Sequence, residues 1–145
     1  MGDVPALTGK CLCGAVTIRI TPAQPHIDVC HCAMCRRWGG GPLLTTRLVT
    51  DPDIAGLEHV ARYASSDWAD RGFCRECGSH LFYHFKPKDG YSFTAGLFDD
   101  LAGFTMVEEI FIDEKPCYYD LAGERKRMTG AEVMANFSAG PGESS

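Results

Sequence analysis

Apolar and polar residues alternate with the two-residue period of a strand at several places along this chain. Val16, Ile18 and Ile20 alternate with Thr17 and Arg19, a half-buried strand that Thr21-Pro-Ala-Gln-Pro25 ends. Leu43 to Val49 and Val60 to Tyr63 are further candidates, with Asp51-Pro-Asp-Ile-Ala-Gly56 as the loop between them. Leu81, Tyr83 and Phe85 alternate in the same way. Lys88-Asp-Gly90 turns the chain into a strand over Tyr91 to Phe98, and Glu108 to Ile112 supplies another. Helical periodicity is scarce. One short helix fits Ala33 to Trp38, stopped by Gly39-Gly-Gly41-Pro42. A second fits Ala131 to Phe137, with Thr129 as N-cap and Glu132 as its capping-box partner. Val133, Met134 and Phe137 would form its apolar stripe. With no internal repeat in view, the pattern predicts one mainly-β domain over residues 1–138, and the composition of residues 139–145 predicts a disordered tail.

Composition narrows the setting. At 145 residues, 45% of them hydrophobic, the chain can bury a real core. No apolar run approaches the roughly 20 residues of a membrane span. The start, Met-Gly-Asp-Val-Pro-Ala-Leu-Thr8, lacks the basic and apolar regions of a signal peptide. A cytoplasmic, reducing location is the expectation, where clustered cysteines serve as ligands or redox groups rather than disulfides. The formal charge is −5, and thiolate ligation of zinc would make it more negative. Arg36-Arg37, Arg47 and Arg125-Lys-Arg127 are few and scattered, so no nucleic-acid partner is expected.

The candidate chemistry lies in the cysteines. Seven of the eight fall into three tight clusters: Cys11-Leu-Cys13-Gly, Cys30-His-Cys32-Ala-Met-Cys35 and Cys74-Arg-Glu-Cys77-Gly. Thiols this close converge on a point, and a soft cation such as zinc collects them at about 2.3 Å. The first and third clusters each end in glycine, which lets backbone N–H groups turn toward sulfur. Together, Cys11, Cys13, Cys74 and Cys77 complete a tetrahedral, structural site. A redox dithiol would instead open a helix after a strand, and Cys77 is followed by Gly-Ser-His80 and strand pattern.

The middle cluster is one thiolate short. Cys30, Cys32 and Cys35 fix one face of a metal and leave the other free, the usual form of a working site. His31 stands between two proposed ligands, where strain opposes a third consecutive donor. Cys117, alone in Lys115-Pro-Cys-Tyr-Tyr-Asp120, is the other candidate to close the site. His80 and His84, among Phe82, Tyr83 and Phe85, read as satisfied strand residues. No phosphate loop, dinucleotide fingerprint, nucleophile elbow or His-Glu-x-x-His occurs.

These motifs carry a resemblance. Gly9-Lys-Cys-Leu-Cys-Gly-Ala-Val16, Cys30-His-Cys-Ala-Met-Cys-Arg36, Tyr63-Ala-Ser-Ser66, Arg71-Gly-Phe-Cys-Arg-Glu-Cys-Gly-Ser-His-Leu81 and Asp113-Glu-Lys-Pro116 resemble the glutathione-dependent formaldehyde-activating enzyme family. That family shares its domain with centromere protein V. The resemblance implies a β-tent of folded-over sheets with few short helices and two zinc ions per chain. Cys11, Cys13, Cys74 and Cys77 would hold one, and Cys30, Cys32 and Cys35 the other, catalytic one. Cys117 departs from the residue common after this proline.

The implied reaction joins glutathione to formaldehyde as S-hydroxymethylglutathione, or cleaves that adduct, a carbon–sulfur lyase chemistry. The partners would then be a small thiol and a small aldehyde. Forked guanidinium groups of Arg36, Arg37 or Arg71 suit the glutathione carboxylates. The alternative is a zinc module that captures thiols or protein partners without turnover.

Overall fold

The computed structural model describes residues 4–139 of the chain, and the mainly-β expectation is borne out. Eleven strands form three open sheets among the described residues. The first sheet joins β1 (Leu7–Lys10), β2 (Thr17–Ile20) and β5 (Asp53–Ala55), in the order β1-β2-β5. In β2 the alternation does what the sequence expects: Ile18 and Ile20 are buried, Thr17 and Arg19 exposed. The loop expected over residues 51–56 contributes β5, because Ile54 pairs opposite Ile18.

The second sheet has the order β11-β10-β3-β4, from β3 (His26–Cys30), β4 (Leu43–Thr46), β10 (Thr105–Ile110) and β11 (Lys126–Met128). Here β10 runs parallel to both β3 and β11, while β3 and β4 are antiparallel. The third sheet, β6-β7-β8-β9, is an antiparallel meander of β6 (Val60–Ala64), β7 (Ala69–Cys74), β8 (His80–Phe85) and β9 (Gly90–Phe93). Three of the expected strands are shorter or shifted. The run from Leu43 stops at Thr46, that from Tyr91 passes into a 3₁₀ turn at Ala95–Leu97, and that at Glu108 ends at Ile110.

Isolated bridges stitch the layers. Gly9 meets Phe98, Thr45 meets Thr94, and Val49 meets Tyr91. The main core gathers Leu7, Val16, Ile18, Ile20, Leu81, Phe82, Phe93, Leu97 and Phe98 with the thiols of Cys11 and Cys74. Phe82 and Phe93 are fully buried and meet edge to face, with centroids 5.8 Å apart.

Two α-helices among the described residues close the architecture. α1 (Ala33–Gly39) follows the middle cysteine cluster, and Gly40 at φ 90° ends it. α2 (Gly130–Ala139) has the expected capping box, with Glu132 N donating to Thr129 Oγ1 and Thr129 N to a Glu132 carboxylate oxygen. Its stripe is narrower than expected: Val133 is buried and Met134 exposed, and the Phe137 side chain lies outside what is described. The expected tail at 139–145 also lies outside the described residues, except for Ala139, which ends α2. No described helix is long and apolar enough to cross a membrane.

Candidate functional site

The first and third cysteine clusters occupy two matching turns. One joins β1 to β2, the other β7 to β8. In the first, Cys11 N donates to Val16 O (3.0 Å) and Gly14 N to Cys11 O (3.1 Å). In the second, Cys74 N donates to Ser79 O (2.9 Å) and Gly78 N to Cys74 O (2.8 Å). Gly14 and Gly78 sit at φ 83° and 80°, in open space, so left-handed backbone rather than crowding requires glycine. Their own N–H groups serve backbone carbonyls, while the N–H groups that follow them, of Ala15 and Ser79, bond the sulfurs of Cys13 and Cys77 as expected. Val16 N also reaches sulfur, 3.4 Å from Cys11 Sγ. The turns dock through Leu12 N and Ser79 Oγ at 3.0 Å.

This docking brings four sulfurs together across two sheets. Sγ of Cys13 lies 3.7 Å from that of Cys11 and 3.9 Å from that of Cys74, and all four fall within 4.8 Å of one another. A tetrahedron with arms of about 2.3 Å has edges of about 3.8 Å. The group fits a four-coordinate metal ion. Ser79 Oγ, 3.2 Å from Cys77 Sγ, pulls that thiol down to about 5, toward the thiolate a metal binds.

The middle cluster sits where β3 runs into α1. Cys30 ends the strand, Cys32 is the helix N-cap, and Cys35 lies buried in the first turn. Sγ of Cys32 accepts from Cys35 N at 3.3 Å, the capping role a Ser or Asp usually plays. The three sulfurs also lie within 4.8 Å of one another and could hold a metal ion. They titrate as one group: hydrogen bonds from Cys30 and then Cys35 hold Cys32 down to about 2, while the Cys32 contact pushes Cys30 above the thiol range. Cys117 is exposed and does not join them, so among the described residues this group has three donors.

His31 is excluded as a ligand by occupation. Its ring is 0% exposed, and Nε2 donates to Glu109 Oε1 at 2.8 Å. Nδ1 shares a hydrogen bond with the Tyr119 hydroxyl, also at 2.8 Å. Glu109, 1% exposed, has its second oxygen between Arg125 and Arg127. Burial pushes the Glu109 carboxyl up, but hydrogen bonds from His31 and Arg125 and the Arg127 charge outweigh it and hold the group below its usual range. Arg36 Nε donates to His31 O at 2.9 Å. The ligand segment is thus held from behind.

In front of the three thiols lies a cavity of about 450 Å³, lined in part by Cys30, Cys32, Cys35, Trp68, Arg71 and Tyr83. Arg71 is 3% exposed, with its guanidinium 5.1 Å from the Trp38 ring centre and 5.3 Å from that of Tyr83. Its NH1 donates to Cys35 Sγ at 3.6 Å. Burial outweighs the opposing Arg71 charge and pushes the Tyr83 hydroxyl up to about 12, so that it stays protonated.

The chain is similar to known proteins. The family model for the glutathione-dependent formaldehyde-activating enzyme matches residues 6–114. The chain belongs to that family. A protein of Schizosaccharomyces pombe (strain 972) named as an uncharacterized lyase is 34% identical over 135 residues, spanning 92% of this chain and 98% of its own. A crystal structure of a Rhodobacter sphaeroides protein matches with TM-score 0.53 at 27% identity, covering 68% of this chain and 91% of that one.

In this formaldehyde-activating family member the three arginines of interest occupy different places. Arg71 lines the cavity; Arg36 and Arg37 do not, and Arg36 is engaged on the ligand segment. His84 bonds Asp70 (2.9 Å) and Asp89 (2.8 Å), while His80 stacks on Trp38 at 4.1 Å. Sequence reasoning missed the cavity residues Asp28, Glu108 and Arg47. Arg47 Nε reaches Asp28 Oδ2 at 3.1 Å and its NH2 reaches Glu108 at 3.3 Å. Burial raises the Asp28 carboxyl despite Arg47. The signal was available: His26, Asp28 and Cys30 share the two-residue period of a strand face.

Proposed function

We propose that both cysteine groups bind zinc and that the three-thiolate centre makes this chain a carbon–sulfur lyase acting on a thiol and a small aldehyde. The observation that carries the reading is the opening of Cys30, Cys32 and Cys35 onto a cavity that also holds a buried arginine. The family name and the lyase name of the yeast relative point the same way. Four thiolates saturate a tetrahedral ion, whereas three leave a position for substrate. Zinc held there supplies a Lewis-acid site that favours the thiolate form of a substrate thiol.

The rest of the chemistry falls to the chain. In the synthetic direction the substrate sulfur adds to the aldehyde carbon, and the carbonyl π pair moves onto oxygen. That oxygen takes the proton the thiol gave up, yielding the S-hydroxyalkyl adduct; cleavage is the reverse. Arg71 stands beside Cys35 with its charge fixed by two aromatic faces, placed to donate to the developing alkoxide. Trp68 and Tyr83 on the cavity wall shield the adduct from water. Of the three arginines Arg71 alone lines the cavity, which supports its assignment to a substrate carboxylate.

The uncatalysed addition is easy, so the test must separate catalysis from capture. Exchange NMR on glutathione and formaldehyde, with zinc-loaded protein, measures interconversion with S-hydroxymethylglutathione. The parent should accelerate exchange and Arg71→Ala should not, by a factor of about 10² or more if the guanidinium stabilises the alkoxide. Equal exchange rates with and without the parent protein would replace the lyase reading with a thiol-binding module.

A further inference from the structure

The parallel strands β3, β10 and β11 end together, at the level of the three thiols. There Cys30 pairs with Leu43 and Ile110, and Ile110 with Met128. Two residues earlier, Asp28 pairs with Glu108, and Glu108 with Lys126. Residues two apart on a strand share a face, so both rows front the cavity. The Asp28 row is matched within itself, since Arg47 bonds both carboxylates. Beyond the Cys30 row, where the chain leaves the strands, the wall is apolar. α1 brings Met34, the segment after β10 brings Phe111, and α2 brings Val133 and Met134.

This end of the cavity has a fixed wall and an adaptable mouth. Phe111 sits at φ 56° and ψ 43°, a left-handed backbone that a bulky residue rarely adopts. Such strain persists where the surroundings hold it, and it clusters at ligand clamps. Gly130 leaves room for the ring: a Cβ there would stand 2.8 Å from Phe111 Cδ1. Gly130 N also donates to Asp113 Oδ1 at 2.8 Å, which ties the turn after Phe111 to the start of α2. At the mouth, Met34 is 45% exposed and Met134 50%. Large apolar side chains exposed around a cavity mark a surface that an apolar group covers, and methionine adapts to the shape of what covers it. Formaldehyde has no apolar group to place there, and glutathione is polar and charged.

We propose that Met34, Phe111, Val133 and Met134 form a pocket for the side chain of the aldehyde, so that this chain prefers aldehydes carrying an apolar group, such as hexanal. The addition itself is unchanged. The thiol sulfur bonds the carbonyl carbon, the π pair moves onto oxygen, and the proton the thiol gave up ends on that oxygen. The product is a hemithioacetal whose alkyl chain lies against the apolar wall. The inference rests on the reading of the three-thiol centre as the place of thiol addition. It assigns selection among aldehydes to α1, α2 and the strained Phe111 between β10 and α2.

The test is exchange NMR on glutathione and the zinc-loaded full chain with straight-chain aldehydes from propanal to hexanal. It reads the aldehyde concentration that gives half-maximal acceleration. Each buried methylene is worth about fourfold, so this concentration should fall about tenfold or more across the three added methylenes. A flat series overturns the pocket, and that comparison needs no variant to fold. Met134→Gln keeps an unbranched, helix-favouring side chain and removes apolar contact. It should weaken hexanal about threefold more than propanal, or better. A loss shared equally by both aldehydes also overturns the pocket. If the parent accelerates exchange with formaldehyde alone, the pocket falls and the lyase reading stands; if it accelerates exchange with no aldehyde, both fall.

Discussion

The two cysteine groups set the same side chain in opposite surroundings. The four-thiol group draws its members from two turns that are 61 residues apart at Cys13 and Cys74, and it locks the first sheet to the third. Cys11 and Cys74 are buried within the main core. The three-thiol group spans six residues at one strand end, closes no long loop, and faces a cavity. A metal in the first replaces contacts that a chain this size would otherwise need. A metal in the second would stabilise little and, on the proposed function, would be free to meet substrate. The support it lacks in front is supplied behind, by the buried His31–Glu109–Arg125 network. The proposed division of roles thus rests on closure in the first group and on incompleteness with outside support in the second.

The sharpest break in that comparison is Cys74→Ser. It leaves three thiolates at a site built for four, inside the core, with Cys11 and Phe82 as neighbours in the buried cluster. Structural zinc is worth on the order of 10–16 kcal/mol in small zinc peptides, comparable with the stability of a whole domain. The variant should lose its cooperative thermal transition, and a strong chelator should do the same to the parent. A melt matching the parent would show that the four-thiol group is not what holds the sheets together.

Next in size is Glu109→Ala, which removes the anion from behind the ligand segment. His31, Arg125 and Arg127 would lose their shared partner in a buried setting, a loss of about 3–5 kcal/mol by denaturant titration. The pH dependence has a definite sign. Glu109's folded-state carboxyl lies below its ordinary range, so its contribution is complete above that range and is lost as pH falls through the folded value. The gap between the parent and Glu109→Gln should therefore be widest near neutrality and narrow on acidification. A gap that widens in acid would contradict the assignment.

The cysteine spacings made both metal groups legible in the sequence, because ligand chemistry is local. Strands with one face in the core were equally legible, as in β2. Two of the missed strands failed for a shared reason. In β3 the polar residues Asp28 and His26 interrupt the apolar reading, yet Asp28 faces a cavity rather than bulk water. In β7 the buried positions include Arg71 and Gly72, and a Cβ at Gly72 would stand 2.3 Å from the Phe82 ring. Their partners are functional or steric, and hydropathy sees neither. β11 is three residues long and is placed by parallel pairing with β10, a non-local fact. Periodicity failed where the chain serves the site.

A smaller effect is expected from Cys32→Ser. Serine is a good N-cap and can accept from the Cys35 N–H as sulfur does, so α1 keeps its start. Stability should change by less than about 1 kcal/mol. Metal content should nevertheless fall from two equivalents toward one, and glutathione binding should be lost. If Cys32→Ser melts as badly as Cys74→Ser, the two groups are both structural. If it keeps parental glutathione affinity, the thiol site lies elsewhere.

The smallest effect belongs to Cys117→Ser, and the expectation is none at all. Cys117 is the eighth cysteine, and a fourth thiolate would close the second group and erase its difference from the first. Its loop is pinned away from that role. Tyr119 bonds His31 Nδ1 at 2.8 Å, and Lys115 Nζ donates to Pro116 O at 2.9 Å and also to Tyr119 O. None of Cys117, Tyr119 and His31 lines the cavity onto which the three thiols open. Bringing Cys117 Sγ to the metal would mean breaking the Tyr119–His31 bond and giving up part of the support behind the ligands. Substitution by serine should therefore leave two metal equivalents, the melting temperature and glutathione affinity at parental values. A variant that retains only one metal would make the second group a closed four-thiolate site, and with no position left for a thiol the lyase chemistry would have no place in this fold.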